Sequence, residues 1–493
     1  MFTVQPRNLE SEEISHLCPE PSSSRHNVTP YDAIKSNHTN PKEKLSSTSR
    51  NKIVQYWRLL SDNSNFRWFL LSTLVTTVGE WLTYVASIAA IEEIHSSNNE
   101  ISRTSISILV ILRLLPNSLF APIGGALADS FDRRTIIFIL DVTGALVVWL
   151  YVFSYYMGSI SAIYLSTILQ MTIGALHEPC HSAIIPMLVP EEDSLEKAVI
   201  MLVSSYALMQ ALGSSIGGFL TDAVGIQYCF MIDSFTYIIS AFLVWKIRGE
   251  YNPVEPVGIA EKSANLDIPK EKEERWFSLS NFTKMTNEGT SYLFSQTWGA
   301  FVLLKFFAAL IYGSADVLNV SFAEQHESSN EINISNSSNQ RLGILFAFVG
   351  IGCVLGPVLI ENFTQMESIS SLERACLASY LIMGLGYSGL WQYDQFILIC
   401  IFSAVRSAGS TIVWTYSSLL LQKLSSSSMR GRVFAVDYAL ATLSESLSAL
   451  IGGVLQDNAD LTAAQVSLIM AIIAVLTLFS WIVYFARVEV RNE

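Results

Sequence analysis

Gly124-Gly125-Ala126-Leu127-Ala128-Asp129-Ser130-Phe131-Asp132-Arg133-Arg134-Thr135 lies between two long apolar runs. Small residues close the first run and two arginines open the second. An apolar chain that halts for about ten residues, turns on a carboxylate and two guanidiniums and dives back reads as a cytoplasmic hairpin between membrane helices. Gly124 and Gly125 are expected to let a neighbouring helix approach closely. Asp129 is placed to accept backbone N–H groups at the start of another helix, where the dipole favours an anion.

Composition sets the class. The 493 residues are 51% hydrophobic and only 15% charged, with a mean hydropathy of +0.38. That is the balance of an all-α membrane protein crossing the bilayer many times. The net charge of −13 argues against nucleic acid as a partner. Cys18, Cys180, Cys229, Cys353, Cys376 and Cys400 show no paired spacing. Five of them fall in or beside apolar spans, so they read as small apolar residues, not as a disulfide frame or a metal site. No Gly-x-x-x-x-Gly-Lys-Ser/Thr occurs, so nucleotide hydrolysis is not expected, and no cofactor is implied.

From residue 66 the sequence predicts twelve apolar spans, each able to cross about 30 Å of hydrocarbon. They lie near 66–91, 104–124, 135–157, 161–185, 198–221, 226–247, 298–322, 342–362, 374–391, 395–421, 431–455 and 463–486. Residues 1–65, rich in Ser, Asn, Pro and both signs of charge, read as a disordered cytosolic tail without a secretory signal. Residues 248–297 read as a cytosolic linker whose Asn281 to Thr297 portion has the makings of an amphipathic surface helix. Residues 488–493 form a second cytosolic tail. The linker divides the spans into a bundle over 66–247 and a bundle over 298–487.

Lys and Arg collect in the 125–134 hairpin, after span four, in the linker and after span ten, which directs both termini to the cytosol. The opposite loops offer only Arg103 and Arg341, each at a helix start. On that side Asn333-Ile334-Ser335 and Asn336-Ser337-Ser338 are glycosylation sequons, making Asn333 and Asn336 candidate sites. The two halves repeat each other. Ile216-Gly217-Gly218-Phe219-Leu220-Thr221-Asp222 ends span five, and Ile451-Gly452-Gly453-Val454-Leu455-Gln456-Asp457 ends span eleven, 235 residues on.

The hairpin resembles the signature loop of the major facilitator superfamily. Gly125, Asp129, Arg133 and Arg134 match its pattern, while Ser130 stands for a basic residue and Asp132 for a glycine. Further stretches are similar to the exporter branch that includes macrolide efflux proteins and the enterobactin exporter. They are Gly79-Glu80-Trp81, Arg113-Leu114-Leu115-Pro116, Ile185-Pro186-Met187-Leu188-Val189, Asp233-Ser234-Phe235 and Arg430-Gly431-Arg432-Val433-Phe434-Ala435. Gly213, Gly217 and Gly218 resemble the glycine-rich antiporter motif of helix five, with Ser214 where proline is expected. The resemblance implies two pseudo-symmetric six-helix bundles that rock about a shared cavity, with spans 3, 6, 9 and 12 peripheral. It implies a gate in which Asp129 docks on the helix opened by Arg430, Gly431 and Arg432. It also implies a small-molecule substrate, transport coupled to protons, and a monomer in the lipid bilayer.

Ionisable residues at membrane depth cost about 2–3 kcal/mol or more and mark a pathway or a partner. Glu80, Arg113, Glu178, Asp316 and Arg406 sit inside spans. Their order suggests that Glu80 or Glu178 pairs with Arg113 and that Asp316 pairs with Arg406. Asp233, Asp437, Lys305 and Glu445 are also intramembrane, and the first three lie nearer the expected helix ends, as interfacial or packing charges. Glu80, then Glu178, are the leading carriers of a transported proton.

His177-Glu178-Pro179-Cys180-His181 matches His-Glu-x-x-His, the signature of a zinc protease. Pro179 is expected to disturb the helix and spoil the ligand spacing. His177 and His181 therefore join the cavity candidates, and the protein is expected not to be an enzyme. Four readings remain open at this point: proton-coupled export, uptake or facilitated diffusion, a non-transporting receptor on the same fold, and intramembrane proteolysis.

Overall fold

A computed structural model describes residues 55–97, 103–252, 290–293, 295–296, 298–325, 337–361, 363–365, 368–426 and 429–492. The N-terminal tail to residue 54, the linker over 253–289 and the two sequon asparagines, Asn333 and Asn336, lie outside them. Contacts divide the chain after Arg58, and the body described below begins at Leu59.

That body is helical. In the first half run α1 (Ser64–Ser97), α2 (Arg103–Ser130), α3 (Arg133–Tyr156), α4 (Ile160–Leu188), α5 (Glu192–Val224) and α6 (Ile226–Trp245). In the second run α7 (Val302–Tyr312), α8 (Ala315–Gln325), α9 (Ser338–Glu361), α10 (Ile369–Gln392), α11 (Phe396–Leu424), α12 (Arg430–Asn458) and α13 (Ala463–Asn492). Ten segments among the described residues are long and apolar enough to cross a membrane, α7 and α8 counting as one. Two further helices of similar length, α2 and α10, fall outside the ten. Glu373, Arg374 and several Ser and Gly residues lower the hydropathy of α10.

Most helices outrun the apolar stretches that predict them, because their polar ends continue into the interface. Span seven differs in kind. It breaks at Gly313-Ser314, where the backbone of Glu445 on α12 packs so closely that a Cβ on Gly313 would lie 2.8 Å from the Glu445 Cα. The Ser314 N–H freed by the break donates to the Ser448 hydroxyl at 3.0 Å. A discontinuous helix is tolerated at membrane depth when neighbouring side chains satisfy its backbone in this way.

Large apolar side chains such as Leu146, Phe153, Phe235 and Phe479 are exposed on α3, α6 and α13, the surface a bilayer covers. Between the halves, α5 packs on α9 and α2 on α12. One apolar core runs through both halves, from Val85 and Ile88 on α1 to Leu345 on α9 and Val433 on α12. A second core, with Phe66, Phe69, Ile137, Ile184 and Val244, draws on the first half alone. The halves thus share an interior toward the loops that precede α2 and α9, and part toward the 131–132 hairpin. These are termed the clasped end and the open end.

Candidate functional site

The polar interior of the first half is built where α1 meets α6. Gly79 permits the approach, since a Cβ there would lie 3.0 Å from the Thr236 Cβ. One residue on, Glu80 accepts a hydrogen bond from the Tyr237 hydroxyl at 3.0 Å. Asp233, fully buried, accepts from Thr83 at 2.7 Å, Thr236 at 3.0 Å and Gln170 at 3.3 Å. Gln170 in turn accepts from Tyr151 at 2.8 Å. Neutral donors therefore satisfy Asp233, as burial of a carboxylate demands. It is sealed inside the bundle, not interfacial.

Arg113 on α2 does not pair with Glu80 or Glu178. Its guanidinium lies over two rings of α1, 4.0 Å from the Tyr84 centroid and 4.5 Å from that of Trp81. Such stacking helps to hold an arginine at depth. Beside it a cavity of about 10 Å³, the room of one water, is lined by Thr83, Tyr84, Ser87, Tyr151 and Gln170. The expected Asp316–Arg406 pair is also absent among ion pairs of the described residues. Asp316 instead accepts from the Tyr84 hydroxyl of the opposite half at 2.6 Å. Arg406, fully buried, donates to Asn319 at 2.6 Å and lies 5.4 Å from the Tyr387 ring centroid. Asn319 and Asp316 occupy one face of α8, three residues apart, and the amide takes the partner expected of the acid.

Asp141 on α3 was missed, although a single Asp inside Ile136–Val142 was a visible signal. It is buried, accepts from Ser240 at 2.7 Å, and lies 3.5 Å from His177 Nε2. His181 stacks on Phe69, with centroids 4.4 Å apart, and shares a 2.8 Å hydrogen bond with Thr73. Pro179 does not break α4, which runs unbroken through it and through Pro186. The two imidazoles consequently do share a face, 5.6 Å apart. What the protease reading lacks is a ligand set: no group of three or more His, Cys, Asp or Glu among the described residues is arranged to hold a metal ion. Glu178 is exposed, with Ser182 donating to it at 3.2 Å.

In the second half Lys305 and Asp437 form a buried ion pair, also sealed and not interfacial. Cys180, Cys229, Cys353, Cys376 and Cys400 form no disulfide among the described residues.

At the open end the two glycines of the hairpin separate in role. A Cβ on Gly124 would lie 2.7 Å from the Ala175 carbonyl, whereas one on Gly125 would meet nothing within 4 Å. Only Gly124 is a close approach. Arg134 donates to the last carbonyls of α6, Val244 at 3.2 Å and Trp245 at 2.5 Å, as cations do at helix C-termini. Arg133 donates to the Ala128 carbonyl at 3.1 Å and to the Met187 sulfur. Asp132 is the N-cap of α3, accepting from the Thr135 N–H at 2.9 Å, and it also takes the Tyr251 N–H at 2.6 Å. Partial burial pushes its carboxyl up, but the bonds from Thr135 and Tyr251 and the charge of Arg134 outweigh this and hold it below the usual range. The side chains of Asp129, Arg430 and Gly431 lie outside the described residues, while Arg432 donates to the Met429 sulfur.

On α5, Gly213 packs on α1, where a Cβ would lie 2.9 Å from the Val78 carbonyl, and Gly217 also faces α1, 3.2 Å from Val85. Gly218 faces the other half, 2.7 Å from the Gly343 Cα. Ser214 bonds back to the Gln210 carbonyl at 2.6 Å and α5 stays continuous.

Two repeated halves packed about a polar, membrane-buried interior define a multi-pass transporter. The sequence matches the model of the Major Facilitator Superfamily over residues 69–365, and the chain belongs to that family. The uncharacterized MFS-type transporter YfiS of Bacillus subtilis (strain 168) is 24% identical over 398 residues, covering 79% of this chain and 86% of its own length. YkuC of the same organism, likewise an uncharacterized MFS-type transporter, is 24% identical over 57% of this chain and 61% of its own. Among solved structures, the nucleoside transporter NupG superposes with a TM-score of 0.62 at 13% identity, covering 86% of this chain and 99% of its own. A POT family transporter in complex with 5-aminolevulinic acid does so with 0.65 at 10% identity, covering 86% and 96%. At such identities the likeness is one of fold.

Proposed function

We propose that the protein exports a small organic molecule in exchange for protons by alternating access, with the open end and both termini toward the cytosol. The observation that carries this reading is Glu80. It lies in mid-helix at membrane depth, its hydrogen bond among the described residues comes from Tyr237, and it forms no ion pair among them. A carboxylate without a direct ion pair at that depth is costly, and taking up a proton removes the cost. Exposure to one side and then the other lets the same group load and release a proton. Arg113, held on aromatic faces and not on a carboxylate, remains available to the deprotonated acid. The Lys and Arg distribution supports the orientation, and the resemblance of residues 213–218 to the antiporter motif supports export. Asp129 docking on the start of α12 remains the proposed latch for the open end.

The test uses proteoliposomes and a compound panel that includes a macrolide, with and without an imposed pH gradient. A one-proton exchanger sustains up to about a tenfold substrate ratio per pH unit. Glu80→Gln, which keeps the bond to Tyr237, is expected to abolish gradient-driven accumulation while substrate exchange at equal pH continues. Accumulation that persists in Glu80→Gln refutes Glu80 as carrier.

A further inference from the structure

We propose that Asp222 and Asp457 are a matched pair of gate residues, one in each half, which hold the clasped end shut by seating on the start of a helix in the opposite half.

Asp457, at the end of α12, accepts the backbone N–H groups of Arg103 and Thr104, each at 2.8 Å. These are the first residues of α2, in the other half. Asp222, at the end of α5, accepts from the Asn339 side-chain amide at 2.9 Å and from the Ser337 hydroxyl, at the start of α9. A helix start presents unpaired N–H groups and the positive end of its dipole, so a carboxylate is the fitting partner in both places.

The repeat makes this a pair and not two coincidences. An offset of 235 residues carries Asp222 to Asp457, and the same offset carries Arg103 to Ser338. In each half the acid follows a Gly-Gly pair by four residues, one helical turn, which places the second glycine and the carboxylate on one face. Those glycines are where the opposing helix lands. A Cβ on Gly218 would lie 2.7 Å from the Gly343 Cα, and one on Gly453 would lie 2.9 Å from the Arg103 carbonyl. The bare surface lets the helix start come close enough for the carboxylate one turn further on to reach it.

The two clasps differ in strength. At the Asp457 clasp, Arg103 also donates through Nη1 to Glu324 at 2.6 Å, and Glu92 lies 3.8 Å away. Asp457 takes two main-chain donors, while Asp222 takes side-chain donors and is exposed. Removal of Asp457 is therefore expected to loosen the gate more.

The experiment measures spin-label distances on the full chain in nanodiscs, without substrate or pH gradient, so its outcome is independent of proton coupling. One label pair, at Val224 and Ala459, spans the clasped end, and another, at Phe131 and Phe363, spans the open end; all four residues are exposed. Asp457→Ala is expected to shift the population toward a separated clasped end by about fivefold, the effect of losing one helix cap. Asp222→Ala shifts it less, and Asp457→Asn, which keeps one of the two acceptor oxygens, recovers part of the closed population. The open-end distance shortens in step, which general loosening of the fold does not produce. If Asp222→Ala/Asp457→Ala leaves both distance distributions as in the parent, the proposal is overturned. Gly453→Ala carries the same test should the double variant fail to fold: it keeps both acids and obstructs the seat, and unchanged distributions there refute the docking geometry.

Discussion

Breaking the Lys305–Asp437 pair measures how much of the second half rests on one buried interaction. The side chains are 4% and 1% exposed. Removing one partner of a buried pair costs about 3–5 kcal/mol, because a charge is left uncompensated. The two removals are not equal. Without Asp437, Lys305 keeps the Ser418 hydroxyl at 2.9 Å and the face of Trp414 at 4.8 Å. Without Lys305, Asp437 has less left, since its Oδ1 already lacks a hydrogen-bond partner. Asp437→Ala is expected to cost about 3 kcal/mol and Lys305→Met about 4 kcal/mol. Replacing both, as Lys305→Met/Asp437→Leu, is expected to return to within about 1 kcal/mol of the parent, because two desolvated charges disappear together. The assay is a thermal melt of the detergent-solubilised protein, followed by the monodisperse fraction in size-exclusion chromatography. In a chain of this size the single variants correspond to Tm losses of roughly 5 °C. Unchanged melting in both single variants, or a double variant as unstable as the worse single one, refutes the claim that each charge is sealed against the other.

Three further outcomes follow from named contacts. Gly124→Val should abolish the monodisperse yield, because its Cβ meets backbone of Ala175 and Leu176 at 2.7–2.9 Å, whereas Gly125→Ala should express as well as the parent; equal yields from the two refute the assignment of the close approach to Gly124. Asp132→Ala should cost about 1 kcal/mol through loss of the α3 cap. The Asp132 carboxyl is held below its ordinary value, so its contribution is complete above about pH 4 and fades as pH falls through the lower folded value. Melts from pH 7 to pH 3 should accordingly converge for parent and variant at the acid end, and a gap that widens on acidification is the contrary result. Zinc analysis of the purified full-length chain should find far less than one ion per molecule; stoichiometric metal lost in His177→Ala would return the protease reading to consideration.

The spans, the 125–134 hairpin, the duplication at an offset of 235 residues and the family were legible in the sequence. Each is a property of neighbouring residues or of a fixed repeat: transfer of an apolar segment into hydrocarbon depends on its own composition, and a family pattern is a spacing. The N-cap was legible too, since Asp132 stands three residues before Thr135, but a comparison with the family pattern registered it only as a lost glycine. The partners of the intramembrane charges were not legible. Tyr84 meets Asp316 across 232 residues, and Lys305 meets Asp437 across 132. Such meetings depend on the rotation of each helix about its axis and on which helices are neighbours, and opposite sign alone predicts neither. Arg113 chose two rings over a carboxylate, Asn319 displaced Asp316 as partner of Arg406, and Pro179 passed through α4 without breaking it. The sequence by itself determined that this chain enters the membrane many times as two related halves, because that is decided by local hydrophobicity. Only tertiary packing decided which end is clasped and which charges are sealed or left facing the interior, because contacts between distant helices exist only once those helices have found their places.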